Sequence, residues 1–369
     1  MNRFVFLAMA LLLVVILAVS CGRTLTTPTP TQVRPNLTPP RPMLITPSGE
    51  ESTQVLKNCN ILPNYIGNYP NDAEPGWSDN LQGVANDNQN WYFTQEERLL
   101  KSPVWWDLNS SLEDPDNPPA AIISKRMPSP LKDAGYDHFG DLDYWGGYLF
   151  VPLEKKGAQL TPAIGVFRAS DLEYIGFYLY TCSGAQASWC AVMDVNGIPY
   201  LYTSAEDLDG YEQITRYNLY PISLDQSTPR VLSECDRFYL YTESSNKTKF
   251  RVVQGGDFAD SGCLYLVVGY YVMTPEELQN SGIMIFDTTT WTRIAKSAND
   301  SGTGGFKFQY SPNFPHYQEP EGITIWDLGL DPNNSPAPGI AGQIHVIMIV
   351  NDSPSVDDLY FKHYKVIGW

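Results

Sequence analysis

Five polar residues along this chain are of types that could act together in ligand binding or in proton transfer: Gln82, His138, Asp141, Gln254 and Glu321. Carboxylates and a histidine can exchange protons with a substrate. Carboxylate and amide oxygens also suit a hard cation such as Ca²⁺. Residues this far apart in sequence can share a site only if a repeated fold brings them together.

A short sequence motif recurs five times beside these residues. It consists of a small residue, a strand, a turn and a second strand. The small residues are Gly83, Gly140, Ala191, Gly255 and Gly322. They lie roughly 50 to 67 positions apart, a period typical of propeller blades. The repeat therefore predicts the architecture before any single residue does.

The segments inside each repeat predict strands, because β-branched and aromatic runs are bounded by Gly, Asn and Asp. Turns such as Val195-Asn196-Gly197 and Asp260-Ser261-Gly262 fit tight hairpins, since Gly and Asn accept a positive φ. A second strand pair follows most of these hairpins. The prediction is an all-β protein, a β-propeller of five blades of four-stranded antiparallel sheet. A sixth blade within residues 220–250 is the alternative, because residues 237–242 read as a strand.

The small residues also predict where a site would lie. The first strands of all blades converge on the axis, where backbones crowd and a side chain would clash. The residue before each small one should then face the mouth of the channel: Gln82, Phe139 beside His138, Cys190, Gln254 and Glu321. We expect Gln82, His138, Gln254 and Glu321 to bind a ligand there. The alternative is that these polar groups only satisfy one another and ordered water.

Asp141 and Glu321 are the candidate catalytic carboxylates, with His138 in support and Asp79 as a third carboxylate. A carboxylate pair can hydrolyse a glycosidic bond when one member acts as acid and the other as base or nucleophile. Asp141 and Glu321 are also the candidate ligands of a Ca²⁺ ion, although the sequence requires no cofactor. Patterns typical of serine hydrolases, dinucleotide sites and phosphate loops are absent.

Composition and cysteine usage narrow the partners. The formal net charge of −17 argues against nucleic acid and against adhesion of the domain to an anionic membrane. Six cysteines are present. If Cys21 carries a lipid, an odd number remains, which allows two bridges and one free thiol. Cys182 and Cys190 flank a short polar turn and are the candidate disulfide.

The N-terminal region predicts export and lipid anchoring. Residues 1–20 have the charge, apolar run and small-residue exit of a signal peptide. Leu17-Ala18-Val19-Ser20-Cys21 resembles a bacterial lipobox, which makes Cys21 the predicted lipidation site. An ordinary secretory signal with a chance cysteine is the alternative.

Residues 21–54 then form a Pro/Thr-rich tether, and residues 55–369 form a single propeller domain. We expect a cell-envelope protein that faces away from the cytoplasm. It would be held at the outer membrane in a diderm and at the cell surface in a monoderm.

Two stretches carry a family resemblance: His138-Phe139-Gly140-Asp141-Leu142-Asp143-Tyr144 and Glu319-Pro320-Glu321-Gly322-Ile323-Thr324-Ile325-Trp326-Asp327. They resemble the inner-strand openings of secreted bacterial β-propeller lipoproteins and, more loosely, those of calcium-binding lactonase propellers. The resemblance implies a propeller over about residues 77–366. The lactonase likeness further implies a metal ligand at Glu321.

The sequence favours a lipid-anchored propeller that acts as a binding or scaffold module for an envelope glycan, a small ligand or another protein. The alternative is an extracellular hydrolase, glycosidase-like or lactonase-like, with carboxylates at the axis. A shared fold does not decide between these two functions. No oligomeric state is predicted.

Overall fold

The computed structural model describes residues 62–112, 114–154, 161–180, 188–219, 229–250, 252–269, 281–297, 306, 308, 318–350 and 358–366. All of them belong to one compact unit, Glu51–Trp369. The predicted signal peptide, Cys21 and the tether lie outside the described residues. Within the described ranges, no helix is long and apolar enough to cross a membrane.

The described residues form 22 strands and one short helix, α1 (Ser129–Asp133). In chain order the strands are β1 (Asn64–Ala73), β2 (Leu81–Asn86), β3 (Asn90–Gln95), β4 (Arg98–Pro103), β5 (Ile123–Arg126), β6 (His138–Phe139), β7 (Asp143–Trp145), β8 (Tyr148–Glu154), β9 (Ala163–Arg168), β10 (Glu173–Tyr180), β11 (Ala191–Val195), β12 (Ile198–Glu206), β13 (Glu212–Asn218), β14 (Arg230–Leu232), β15 (Glu234–Tyr239), β16 (Val253–Ala259), β17 (Cys263–Val268), β18 (Gly282–Asp287), β19 (Thr292–Lys296), β20 (Gln318–Ile325), β21 (Ile344–Val350) and β22 (Asp358–Lys365).

These strands form five sheets, which are the five blades of a propeller. Blade 1 is β2-β3-β4-β5 and blade 4 is β16-β17-β18-β19, each antiparallel and in chain order. Their first hairpins turn where the sequence predicts, with positive φ at Asn88 and Gly262. The predicted five-bladed β-propeller of four-stranded antiparallel sheets is confirmed.

Blade 5 is completed by the first strand of the described chain. Its order is β20-β21-β22-β1, so that β1 pairs antiparallel with β22 and joins the two ends of the domain. The repeat pattern does not predict this closure, because β1 precedes Gly83, the first small residue of the repeat. Ring closure therefore rests on contacts between residues about 300 positions apart, such as Asn64 with Lys365.

The described part of the segment 220–250, residues 229–250, does not form a sixth blade. β14 leaves blade 3 and pairs in parallel with β10 at the outer edge of blade 2, and β15 then returns as the fourth strand of blade 3. The strand signal near Arg237 is therefore genuine, but it belongs to blade 3. Blade 2 has a divided inner strand, β6 and β7, both paired with β8.

The hydrophobic core is divided into five clusters, and each one fills the space between two neighbouring blades. Between blades 1 and 5, Trp91 packs against Trp326 and Phe361 with ring centroids 4.5 and 5.4 Å apart. Between blades 2 and 3, Cys190 and Tyr217 are fully buried. This packing holds the inner strands of all five blades against one another at the axis.

The structure does not contain the predicted disulfide between Cys182 and Cys190. Cys190 is a free, fully buried thiol whose Sγ donates to the carbonyl oxygen of Phe150 at 3.3 Å. Its backbone is held beside Asp141 of blade 2, which directs the side chain into the core between the blades. Cys182 lies outside the described residues.

Candidate functional site

Three blades place a glycine at the axis and two place a larger residue there. A Cβ atom at Gly83 would lie 2.4 Å from the Cα of Asp141, and one at Gly322 would lie 2.7 Å from the Cα of Gly83. A Cβ at Gly255 would lie 2.6 Å from a carboxylate oxygen of Asp141. Asp141 in turn pairs with Trp189 of blade 3 through a parallel bridge. These five residues form one axial ring.

The axial ring corrects the predicted register in blades 2 and 3. Glycine is required at the axis in blades 1, 4 and 5, as expected. In blade 2 the axial residue is Asp141 rather than Gly140, and in blade 3 it is Trp189 rather than Ala191. The three glycines leave space at the centre for the carboxylate of Asp141, while the Trp189 side chain packs in the core between blades 3 and 4.

The carboxylate of Asp141 joins four blades. Its Oδ1 accepts the backbone N–H of Val84 at 2.9 Å, and its Oδ2 accepts those of Gly256 at 3.2 Å and Ile323 at 3.3 Å. Asp141 is 0% exposed, and burial raises the pKa of its carboxyl well above the ordinary value, against the lowering effect of the three donors. Its predicted catalytic and metal-binding roles remain predictions.

The side chain of Trp189 packs beside the axis, in the core between blades 3 and 4. The ring lies against the backbone of Gly256, where a Cβ would be 2.6 Å from Cε3. Its Nε1 donates to the Oγ of Ser204 at 2.8 Å, and the whole side chain is buried. At the level of the axial ring, the described residues therefore form a packed centre rather than an open channel.

A second ring of polar groups lies two or three residues further along the inner strands. Asp143 of blade 2 accepts the backbone N–H of Val192 of blade 3 at 2.6 Å. Asp257 of blade 4 accepts the backbone N–H of Ile325 of blade 5 at 2.7 Å. Asn86 of blade 1 donates to the carbonyl of Ile325 at 3.0 Å. We call Asp143, Asp257 and Asn86 the acidic ring. It lies towards the C-terminal ends of the inner strands.

The two carboxylates of the acidic ring differ from Asp141 in exposure, because both are half-buried rather than enclosed. Burial raises the pKa of Asp143 well above its ordinary value, and the nearby charge of Asp257 raises it further. Burial also raises the pKa of Asp257, to about 7, against two backbone donors and the Thr324 hydroxyl. Because like charges resist simultaneous ionisation, this pair favours one proton shared between two sites.

The predicted ligand-binding residues lie at the opposite, N-terminal end of the inner strands. Gln254 donates from Nε2 to Glu319 Oε1 at 2.7 Å, and Gln82 donates from Nε2 to the carbonyl of Leu81 at 3.0 Å. Glu321 is only 3% exposed. Segments 155–160, 181–187 and 270–280 lie outside the described residues.

His138 lies apart from the axial carboxylate. Its Nδ1 is 3.9 Å from Glu96 Oε1, at the junction of blades 1 and 2, whereas the side chain of Asp141 points to the axis. Phe139 and Cys190, predicted to face the mouth, are packed in the cores between blades instead. Among the described residues, no group of three or more His, Cys, Asp or Glu side chains is arranged to hold a metal ion.

Asp143 and Asp257 are the acidic residues that the sequence reasoning did not select. Both stand two positions after an axial residue, Asp141 and Gly255, and therefore point to the same side of their strands. That spacing is visible in Asp141-Leu142-Asp143 and Gly255-Gly256-Asp257. The signal is weak without the structure, because it requires knowing which residue of blade 2 occupies the axis.

No protein-family model matches the sequence, and no curated protein matches it. Solved structures similar to this chain include a thermostable family-43 glycoside hydrolase, at 12% identity and a TM-score of 0.40, with 77% of this chain and 88% of that chain covered. An exo-1,5-α-L-arabinanase from a bovine ruminal metagenomic library is similar at 13% identity and a TM-score of 0.41, covering 81% and 93%. A xylan β-1,4-xylosidase from Bacillus halodurans C-125 is similar at 10% identity and a TM-score of 0.40, covering 82% and 53%. Values this low assign neither a substrate nor a site residue to the present chain.

Proposed function

We propose that this protein is an extracytoplasmic hydrolase of glycosidic bonds, with Asp143 and Asp257 as its carboxylate pair. The observation that supports this proposal is the acidic ring, where two half-buried carboxyls have raised pKa values. Raised carboxyl pKa values of this kind cluster at sites of acid–base chemistry. The proposal adopts the hydrolase alternative from the sequence. It assigns the catalytic roles to Asp143 and Asp257 rather than to Asp141 and Glu321.

Two carboxyls with these properties suit glycoside hydrolysis because the reaction needs one proton donor and one proton acceptor or nucleophile. The donor must stay protonated near neutral pH while its partner is ionised. Each carboxylate is also fixed in place by backbone donors: Tyr144 and Val192 for Asp143, and Phe258 and Ile325 for Asp257. These donors come from rigid inner strands, so the two acids are held before substrate arrives.

The sequence also supports a location for this activity. We propose that Cys21 is lipidated and that residues 21–54 hold the propeller away from the membrane, in the cell envelope. The substrate would then be a glycan outside the cytoplasm. Ca²⁺ has no part in the proposed reaction.

The test is release of reducing sugar ends from envelope and plant polysaccharides by the full chain in detergent, between pH 4 and 8. We expect turnover by the wild type and its loss in Asp143→Asn and Asp257→Asn. The matched control is Asp194→Asn, an exposed aspartate on the inner strand of blade 3. Absence of turnover on the whole panel, or full activity in both ring variants, would contradict the proposal. Thermal unfolding of each variant identifies loss of activity caused by loss of fold.

A glycan-binding module without turnover is the second candidate. One observation favours it: both oxygens of each ring carboxylate already accept a backbone N–H, as expected of a clip between blades. Under this alternative, a glycan that raises the unfolding temperature is recovered intact after long incubation. Product release in the same samples decides for the hydrolase.

A further inference from the structure

The two carboxylates of the acidic ring have unequal sets of hydrogen-bond donors. Asp143 accepts from two backbone N–H groups, those of Tyr144 and Val192, both at 2.6 Å. Asp257 accepts from two backbone N–H groups at 2.7 Å and, in addition, faces the Oγ1 of Thr324 at 3.4 Å from Oδ2. Donors to a carboxylate favour its ionised form.

Asn86 decides which way the Thr324 hydroxyl points. The Nδ2 of Asn86 donates to Thr324 Oγ1 at 2.9 Å, so the oxygen acts as an acceptor towards blade 1. A hydroxyl has one hydrogen to give. With its acceptor side occupied by Asn86, that hydrogen is directed at Asp257. The contact of 3.4 Å is long, as such contacts often are before substrate binds.

We propose that Asn86 and Thr324 hold Asp257 as the ionised member of the pair, so that Asp143 carries the proton. This assignment rests on the proposed function for its chemical meaning, and Asn86 and Thr324 are positioning residues in it. The other titratable groups that face the pair are Asp141 and Asp260 near Asp257, and the thiol of Cys190 near Asp143. The charge of Asp260 raises the pKa of Asp257 and so opposes this order, but its effect is smaller than those of the two backbone donors and the Thr324 hydroxyl.

The assignment gives each acid one task in the hydrolysis. The O–H bond of Asp143 breaks as its proton passes to the glycosidic oxygen, whose bond to the anomeric carbon breaks with it. A water oxygen forms the new bond to that carbon and gives its proton to Asp257. After product leaves, proton exchange with solvent returns the proton from Asp257 to Asp143, so that no cofactor or co-reactant is consumed.

The test compares Thr324→Val, which removes the hydroxyl at nearly constant shape, with Thr324→Ser, which keeps it. The first measurement is a carbon NMR titration of the full chain in detergent, with aspartate carboxyls labelled. Signals are assigned through Asp143→Asn and Asp257→Asn. We expect the Asp257 midpoint to move up by about half to one pH unit in Thr324→Val and to stay in place in Thr324→Ser. Asn86→Ala, which frees the hydroxyl to rotate, should move it in the same direction.

The second measurement is the pH dependence of kcat/KM on a cleaved substrate. Its acid limb should report Asp257 and move up in Thr324→Val, while its basic limb, which reports Asp143, should stay. A purely structural role for Thr324 would lower the unfolding temperature and kcat without moving either limb.

Movement of the Asp143 midpoint instead, or equal behaviour of the Val and Ser variants, would overturn the inference. If the NMR shift is found but no substrate is cleaved, the proposed function fails while the position of the proton stands.

Discussion

The axis and the ring-closing sheet both bury ionisable groups, and they satisfy them in opposite ways. At the axis, Asp141 accepts hydrogen bonds from backbone N–H groups of three other blades. In the closing sheet, His345 and His363 face backbone carbonyls, those of Trp326 at 2.9 Å and Tyr69 at 3.0 Å. Acids are therefore placed where the fold offers donors, and imidazoles where it offers acceptors.

Burial gives the two regions opposite dependences of stability on pH, because it disfavours the charged form of carboxyls and imidazoles alike. Burial raises the pKa of Asp141, Asp143 and Asp257, so the folded state binds their protons more tightly than the unfolded state does. Their contribution is complete below the unfolded value of about 4 and is lost as pH rises through the folded values. Burial lowers the pKa of His345 to about 4 and that of His363 well below its ordinary value. The histidine contribution is therefore lost as pH falls below about 6.5.

The contrast also explains why the two regions have different functional potential. The histidine pair is fully enclosed, and its ring nitrogens all face partners within the fold. The acidic ring keeps two carboxyls half-buried beside a closed axis. Enclosure suits a structural role, whereas partial exposure with a raised pKa suits chemistry on a ligand.

The largest effect on stability is expected from replacing Asp141, because its carboxylate accepts hydrogen bonds from three backbone N–H groups at the axis. Asp141→Ala leaves three buried N–H groups without their acceptor, and each such loss costs about 1 to 3 kcal/mol. We expect the free energy of unfolding to fall by about 3 to 6 kcal/mol, measured by denaturant titration of the full chain at pH 6. Asp141→Asn should fall in between, because its amide can accept from some of these groups but not all.

Asp194→Ala is the matched control for Asp141, since it removes an exposed aspartate from the inner strand of blade 3. Substitutions at such surface positions usually change the free energy of unfolding by about 0.5 kcal/mol or less. A cost below about 1 kcal/mol for Asp141→Ala would mean that water replaces the carboxylate at the axis.

A smaller effect is expected at the closing sheet. The two rings also meet each other, with Nδ1 atoms 2.9 Å apart. Two neutral rings carry only two N–H protons for these three contacts, so one contact lacks a proton. His363→Leu leaves the Tyr69 carbonyl and one ring nitrogen of His345 unsatisfied, and we expect a loss of about 2 to 3 kcal/mol at pH 7.

The pH dependence of the histidine variants sharpens this result. Replacing both histidines by Leu should flatten the decline of unfolding free energy between pH 6.5 and pH 4, because two groups that charge only on unfolding are removed. An unchanged decline in the double variant would show that the histidines are already charged in the folded protein. In that case the two regions would not have opposite pH dependences.

The general fold could be predicted from the sequence because its signals are local. The hairpin at Val195-Asn196-Gly197 needs positive φ at Asn196 and Gly197, and the structure has both. The closure by β1 and the detour of β14 to blade 2 could not be predicted in this way, since both depend on pairings between distant segments. No residue within β14 distinguishes a blade strand from an added edge strand.

The site was harder to predict than the fold, for a reason visible at Gly140 and Asp141. A glycine beside a strand reads as the axial residue, yet here the axial residue of blade 2 is the aspartate after it. Asp141 can occupy the axis only because Gly83, Gly255 and Gly322 leave room for it, and that is a property of the assembled ring. Asp257 could not be predicted from the sequence for the same reason, since its hydrogen-bond partner Ile325 belongs to another blade.

At pH 4 the smallest effect is expected at Glu212, which tests how far the behaviour of the axis extends into blade 3. Glu212 is 1% exposed, and burial raises its pKa to about 8 against a hydrogen bond with Ser204, the residue that accepts from Trp189. Among the described residues its Oε1 has no hydrogen-bond partner. The carboxyl should therefore be protonated in the folded protein at pH 6 and resemble a glutamine in charge.

Glu212→Gln should change the free energy of unfolding by less than about 1 kcal/mol at pH 4, because both side chains are then neutral in the folded and in the unfolded protein. The folded pKa is raised, so the glutamate's contribution is present below about 4.5 and is lost as pH rises through 8. The variant should consequently be the more stable protein at pH 9, by on the order of 4 kcal/mol. Denaturant titrations at pH 4 and pH 9 measure both values. Equal stabilities at pH 9 would mean that Glu212 ionises without cost and that the acid-favouring behaviour stops at the axial ring.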